Sequence, residues 1–357
     1  MTILKSGYTT GTCAAAAAKA AATALLSGEI PSAVEITVMN GTVIELEIVD
    51  ASMGDSQAIC AVIKDAGDDP DVTHGAKVFA TVSKRLREVI EVDGGEGIGR
   101  VTKPGLKVRV GQAAINPVPM EMIQAAIREV CTKFDYKGGI KAVISIPGGE
   151  EIAKKTMNAR LGIIGGLSIL GTSGIVEPMS EKAIIDTIKA DIDVQVASGN
   201  SALIVTPGNY GRDFAASELG LDIEEAIKCS NYIGDTLDYL CGKDIEGILL
   251  IGHAGKLVKL AGGVMNTHSA VADCRMEILA THSALSGADA AVIRQIMDCV
   301  STQGAIEIID ALGIGDSVWS SMGERIGFYL RERTKGKIKV EFIVFTQENG
   351  ILTRGEA

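Results

Sequence analysis

The sequence predicts a mixed fold: a strand-rich α+β domain over residues 1–137, then an open, mainly parallel α/β sheet domain over residues 138–357. Three observations predict it. Short alternating apolar runs with turn residues between them fill the first third, as in half-buried antiparallel strands. From about residue 140, wholly apolar β-branched runs end in glycine turns and lead into helical segments, as in buried parallel strands. At 357 residues the chain is long enough for two cores, and 46% hydrophobic content with 4% aromatics makes those cores Ala, Ile, Val and Leu.

The chain opens on Ser6-Gly7-Tyr8-Thr9-Thr10-Gly11-Thr12-Cys13, followed by alanines broken only by Lys19 as far as Ala22. Alanine is the strongest helix former, so a helix is expected over 13–26, stopped by Ser27-Gly28. Thr12 or Thr10 is its expected N-cap. Two readings of this hydroxyl-rich turn stay open: the cap of a tightly packed helix, or an anion site made from the free amides of its first turn. Alternating runs at 34–39 and 42–48 flank Asn40-Gly41, a strong hairpin signal. Further strands are expected at 58–63, 78–82 and 87–92, and a helix at 120–133.

Three apolar runs, at 142–146, 202–206 and 247–251, each end in a glycine turn before a helical segment. These are expected to build the parallel sheet, with function at its carboxyl edge. Helical stretches at 284–313 and 316–335 and a closing strand at 338–345 complete the expected second domain.

A formal charge of −11 argues against nucleic acid as the main partner, while leaving room for a local basic patch that holds a small anion. Lys and Arg stand beside glycine turns at Arg100, Lys103, Arg160, Arg212, Lys256 and Lys259. No apolar run approaches the roughly 18 residues of a membrane span. The N-terminus lacks the order of a signal peptide, so a cytoplasmic location without membrane partners is expected. Seven cysteines, an odd number with no C-x-x-C pair, argue against a disulfide framework or structural zinc. The sequence is compatible with a homo-oligomer.

The acidic loop Lys64–Gly75 carries four aspartates and His74, but not at the spacing of a calcium loop, so no metal site is assigned. Its other reading is a turn held by Asp side chains capping backbone amides. Asp93–Thr102 has a Gly-x-Gly-x-Gly pattern without the directly following helix that a dinucleotide turn needs. Leu161–Pro178 is dense in glycine, suited either to close approach of a flat ligand or to a bent strand at a domain junction. Ile251–Ala261 has the outline of a phosphate loop, but Leu257 stands where a metal-binding hydroxyl belongs. What remains there is a helix start with His253 and Lys256, suited to a carboxylate. His253, His268 and His282 are not at zinc-ligand spacing.

Taken together and in order, the segments Gly7–Cys13, Lys64–Gly75, Gly94–Lys103, Ala114–Pro119, Gly165–Pro178, Asn209–Arg212, Tyr232–Asp235 and Gly252–His268 resemble the CbiD family, the cobalt-precorrin-5B C(1)-methyltransferases of anaerobic cobalamin biosynthesis. The resemblance implies methyl transfer from S-adenosylmethionine to carbon 1 of a cobalt-containing tetrapyrrole, giving cobalt-precorrin-6A. Such a transfer needs alignment more than acid or base catalysis. Asp65, His253 and His268 are the candidates for taking a proton released later. Thr206, Pro207, Gly208, Gly252, Gly255 and Lys256 are expected at the methyl donor. Thr9, Thr10, Thr12, Arg100 and Lys103 are expected at the carboxylates of the macrocycle. Two alternatives stay open: a non-catalytic corrinoid-binding scaffold, and a nucleotide-dependent α/β oxidoreductase.

Overall fold

A computed structural model describes residues 4–171, 173–221 and 225–357. The chain forms two compact units that meet in sequence at Glu181 and Lys182.

The first unit runs β1 (Gly7–Tyr8), α1 (Thr10–Ser27), β2 (Ala33–Thr37), β3 (Val43–Glu47), β4 (Asp50–Met53), β5 (Gln57–Ile63), β6 (Lys77–Arg85), β7 (Ile90–Gly94), β8 (Arg100–Val101), α2 (Pro117–Lys133), β9 (Gly139–Ser145), α3 (Gly149–Ala153), β10 (Ile163–Ile164) and β11 (Ile175–Val176). Its main sheet has the order β4-β5-β6-β9-β7, and β2 pairs with β3 as the Asn40-Gly41 hairpin. One face of this sheet, with Ala58, Cys60, Val62, Val78, Ala80, Val82 and Ile144, is buried in the same core as α1. α1 is sequestered along nearly its whole length, ten of its residues being fully inaccessible alanine or cysteine. A methyl-sized side chain on every side lets the helix lie close to both the sheet and α2, which a leucine helix could not do. The opposite face carries the half-buried Ile59, Phe79, Thr81, Val143 and Ser145.

The strand expected to open the second domain is β9 of this first sheet, antiparallel to β6 and parallel to β7. The expected boundary after residue 137 therefore falls inside the first unit. A short apolar β-branched run reads the same in the middle of a mixed sheet as in a parallel one, and only pairing separates the two cases.

The second unit runs α4 (Glu181–Ala197), β12 (Ala202–Thr206), α5 (Asn209–Leu219), β13 (Ile227–Lys228), α6 (Ile233–Leu240), β14 (Gly247–His253), α7 (Ala254–Leu257), a 3-10 turn (Val258–Gly262), α8 (Arg275–Leu285), α9 (Ala290–Met297), α10 (Thr302–Ala311), α11 (Gly315–Thr334), β15 (Lys339–Thr346) and β16 (Gly350–Glu356). Its sheet has the order β13-β12-β14-β15-β16. The first four strands are parallel, as expected, and β16 adds an antiparallel edge. The 284–313 stretch is broken into the end of α8, then α9 and α10, with Asp289 and Ser301 capping the two new starts. Among the described residues no helix is long and apolar enough to cross a membrane.

Candidate functional site

In the second unit the chain leaves the carboxyl end of β12 towards β13 on one side and the carboxyl end of β14 towards β15 on the other. Connections that part in this way open a crevice between the two strand ends, the usual ligand position of an open α/β sheet. At this edge stand Thr206, Pro207 and Gly208, at and after the end of β12, and His253, Ala254, Gly255 and Lys256, at and after the end of β14, with Thr206 and Ala254 inaccessible. Six of the expected site residues thus converge on one edge.

Lys256 spans it. Its Nζ donates to the Pro207 carbonyl at 2.9 Å and lies 3.5 Å from the Ser230 carbonyl, tying the loops after β12 and β13 to the one after β14. Burial pushes its ammonium below the usual lysine range, with Lys228 and Lys259 adding repulsion. His253 is the N-cap of α7, its Nδ1 accepting from the Gly255 amide at 3.1 Å. Burial also lowers the His253 pKa, so the ring is neutral near pH 7. With Nδ1 accepting, the proton of the neutral ring sits on Nε2. Phe345 meets the ring edge-on at 5.8 Å and Tyr210 flanks it at 6.0 Å.

Thr206 is fully buried and its hydroxyl has no hydrogen-bond partner. A side chain on Gly208 would meet nothing within 4 Å, so the space beside it is open. Gly252 differs: a methyl there would stand 2.7 Å from Leu257 Cγ, so this glycine serves the packing of α7 on its strand. The phosphate-loop outline fails in structure too, because α7 is a four-residue turn leading into a 3-10 turn.

His268 is exposed, and its Nδ1 is taken by the Ala270 amide at 3.1 Å. Its loop is fixed from below by the buried Lys259, whose Nζ donates to the carbonyls of Thr267 and Ala272. His282 is a core residue bonded to Ser321 at 2.8 Å.

In the first unit the opening turn is capped by Thr9, one residue before the expected Thr10 and three before Thr12. Thr9 Oγ1 accepts from the Thr12 amide at 3.2 Å, and Thr12 Oγ1 donates to the Gly174 carbonyl at 2.6 Å. Thr12 is inaccessible and Thr10 only 8% exposed, and the hydroxyls of Thr9 and Thr12 close the turn on the chain itself. Thr9, Thr10 and Thr12 are three of the residues expected at the macrocycle carboxylates. Burial pushes the Cys13 thiol up to about 12, which makes it inert.

The acidic loop is a clasp. Lys64, buried to 1% exposure, pairs with Asp71 and donates to Thr73 Oγ1 at 2.6 Å. Asp65 accepts from Lys5 Nζ and the Gly67 amide, both at 2.8 Å, and these bonds hold its carboxyl below the usual range. Asp68 accepts from the Lys5 amide at 2.6 Å. Asp65 and Asp68 therefore fasten the segment before the first strand through Lys5, and Asp65 and Asp71 cap amides of their own loop, the second of the two readings. Among the described residues no group of three or more His, Cys, Asp or Glu side chains could hold a metal ion.

Arg100 lies 3.1 Å from Asp93 Oδ1 and is half exposed. Lys103 packs its stem on Gly162. The glycines of this region are spent on chain-to-chain contact: a methyl on Gly97 would stand 1.9 Å from the Ile146 carbonyl oxygen, and one on Gly166 2.3 Å from that of Gly97.

Sequence reasoning missed Lys228, Asn209 and Tyr210 at the crevice. Lys228 ends a two-residue strand too short for periodicity to reveal, and Asn209 and Tyr210 gain meaning only from the strand order.

A switch-point edge with ammonium groups, an imidazole and an open glycine loop suits a small-molecule ligand of an α/β protein. Residues 1–178 match the CbiD family and residues 266–356 its C-terminal domain. The chain is 53% identical over 346 residues to the cobalt-precorrin-5B C(1)-methyltransferase of Ruminiclostridium cellulolyticum, covering 97% of this chain and 90% of that one. It is 43% identical to the protein of the same name from Methanocaldococcus jannaschii, covering 98% and 95%. A crystal structure of the cobalamin biosynthesis protein CbiD from Archaeoglobus fulgidus aligns with 30% identity and a TM-score of 0.40, covering 72% of this chain and 80% of that one. The chain belongs to the CbiD family.

Proposed function

We propose that this protein is a C-methyltransferase that moves a methyl group from S-adenosylmethionine to carbon 1 of cobalt-precorrin-5B, giving cobalt-precorrin-6A in the anaerobic assembly of the corrin ring, in the cytoplasm. The observation that carries this reading is the likeness along 97% of the chain to a protein of that activity. The crevice of the second unit supports it as the donor site. A buried hydroxyl without a partner at Thr206, open space at Gly208 and the Lys256 ammonium suit a ligand that ends in a carboxylate.

When bound, S-adenosylmethionine supplies an electrophilic methyl group on a sulfonium. Thr206, Pro207, Gly208, Gly255 and Lys256 hold and orient the donor, with Gly252 backing the site. His253 offers an Nε2 proton as a hydrogen-bond donor. None of the three expected proton acceptors is set as a strong base: Asp65 is held low by Lys5 and Gly67, and Nδ1 of His253 and of His268 already accepts an amide. Rate enhancement therefore rests on alignment. Arg100 and Lys103 remain the proposed contacts for macrocycle carboxylates.

Anaerobic incubation with methyl-13C donor and cobalt-precorrin-5B tests the reading. The expected result is one labelled methyl at carbon 1 for each S-adenosylhomocysteine released. Macrocycle binding without transfer would favour a scaffold, and tight NAD(P) binding in place of the donor an oxidoreductase.

A further inference from the structure

The first turn of α5 starts without a side-chain cap. Its N-cap is Gly208, which has no side chain to accept from the first-turn amides, and the turn contains no acidic residue. Thr206, inaccessible and with an unpartnered hydroxyl, lies against that turn: a methyl at Gly211 would stand 3.2 Å from Thr206 Cβ. Two ammonium groups straddle the Pro207-Gly208-Asn209 loop. Lys256 Nζ is on the Pro207 carbonyl at 2.9 Å, and Lys228 Nζ is on Asn209 Oδ1 at 2.9 Å. Among the described residues neither lysine has a carboxylate within 4.0 Å. Two cations without a carboxylate partner and a helix start without a side-chain cap thus stand on one three-residue loop, where a side chain on Gly208 would meet nothing within 4 Å, in a protein of net charge −11.

We propose that Lys228 and Lys256, with the first-turn amides of α5, form a carboxylate subsite beside Gly208. The site rests on the reading of this edge as the ligand crevice, and it adds Lys228 as a binding residue. An ammonium pair and helix amides neutralise a carboxylate through charge-assisted hydrogen bonds, and the open glycine lets the ligand approach the backbone. Two ligands of the reaction carry carboxylates, the amino-acid end of the donor and the periphery of the macrocycle.

Calorimetric titration of the full-length protein and of Lys228→Gln separates them. The Lys228 side chain is exposed and, among the described residues, bonded only to the Asn209 side chain, so the variant keeps the fold, checked by an unchanged thermal midpoint. The probes are S-adenosylhomocysteine and 5′-methylthioadenosine, which lacks the carboxylate, then a corrinoid polycarboxylic acid and its methyl ester. A loss of about tenfold for S-adenosylhomocysteine, with methylthioadenosine within about twofold, supports the subsite and assigns the donor carboxylate. The same contrast between corrinoid acid and ester supports it and assigns the macrocycle. Equal effects within both pairs overturn the subsite. If the unaltered protein binds neither adenosyl compound, the donor reading of this crevice falls, while the corrinoid pair still decides the subsite.

Discussion

The Lys256 ammonium donates to the Pro207 carbonyl at 2.9 Å, joining the loop that follows β14 to the loop that follows β12. This bond crosses the point where the sheet connections diverge, so one side chain both shapes the crevice and charges it. Lys256→Met keeps the aliphatic stem and removes the tie. It is expected to weaken S-adenosylhomocysteine binding by about tenfold while moving the thermal midpoint little, because desolvation of the half-buried ammonium already offsets much of its gain. Titration beside differential scanning calorimetry checks this; a large fall in midpoint with unchanged affinity would make Lys256 a strut alone.

The clasp around the first strand turns on the pair of Lys64 with Asp71. Lys64→Met strands a half-buried carboxylate and is expected to cost about 2 kcal/mol, below the range for fully buried pairs because Asp71 is 27% exposed. Adding Asp71→Asn should recover part of that loss, giving a coupling visible in a double-mutant cycle by urea unfolding. Additive losses would mean that the two side chains act independently.

The same pair sets an acid limit. Burial pushes the Asp71 carboxyl up, but its bonds from Lys64 and Thr73 outweigh this and leave it below the usual carboxylate range. A depressed native pKa stabilises the folded state fully above the unfolded value near 4, and the contribution is lost as pH falls through the native value. Asp65 adds in the same direction. Urea midpoints measured from about pH 6 to about pH 3 should therefore fall, with a shallower slope in Asp71→Asn. Equal slopes would remove Asp71 from the acid transition.

Thr12 joins α1 to the strand pair of β1 and β11 through the Gly174 carbonyl. Thr12→Val conserves volume but removes one of the two donors to that buried carbonyl, leaving the Thr9 amide at 3.1 Å. The expected cost is about 1–2 kcal/mol in chemical denaturation, with donor binding unchanged. A wild-type unfolding midpoint would show that water takes over the bond.

What could be read from the sequence followed from local rules. The alanine helix, the Asn40-Gly41 hairpin, and the strands ending at Thr206 and near Ile251 each carry their signal in consecutive residues. The cap moved to Thr9 because three threonines in four residues satisfy the same rule, and only the Thr9 amide's bond to the Gly174 carbonyl decides among them. The place of β9 depended on pairing with strands fifty or more residues away in sequence, which no window contains. At the crevice, Lys256 was visible beside its glycines. Lys228 was not, because its position next to Thr206 is a property of strand order. The glycines of Leu161–Pro178 left two readings open for a physical reason: glycine permits close approach of a ligand and of another backbone equally.

The most direct measurement is a crystal structure of the protein with S-adenosylhomocysteine. The account predicts the ligand over Gly208, between Thr206–Asn209 and His253–Lys256. Ligand bound instead in the first unit, at the start of α1, would contradict it.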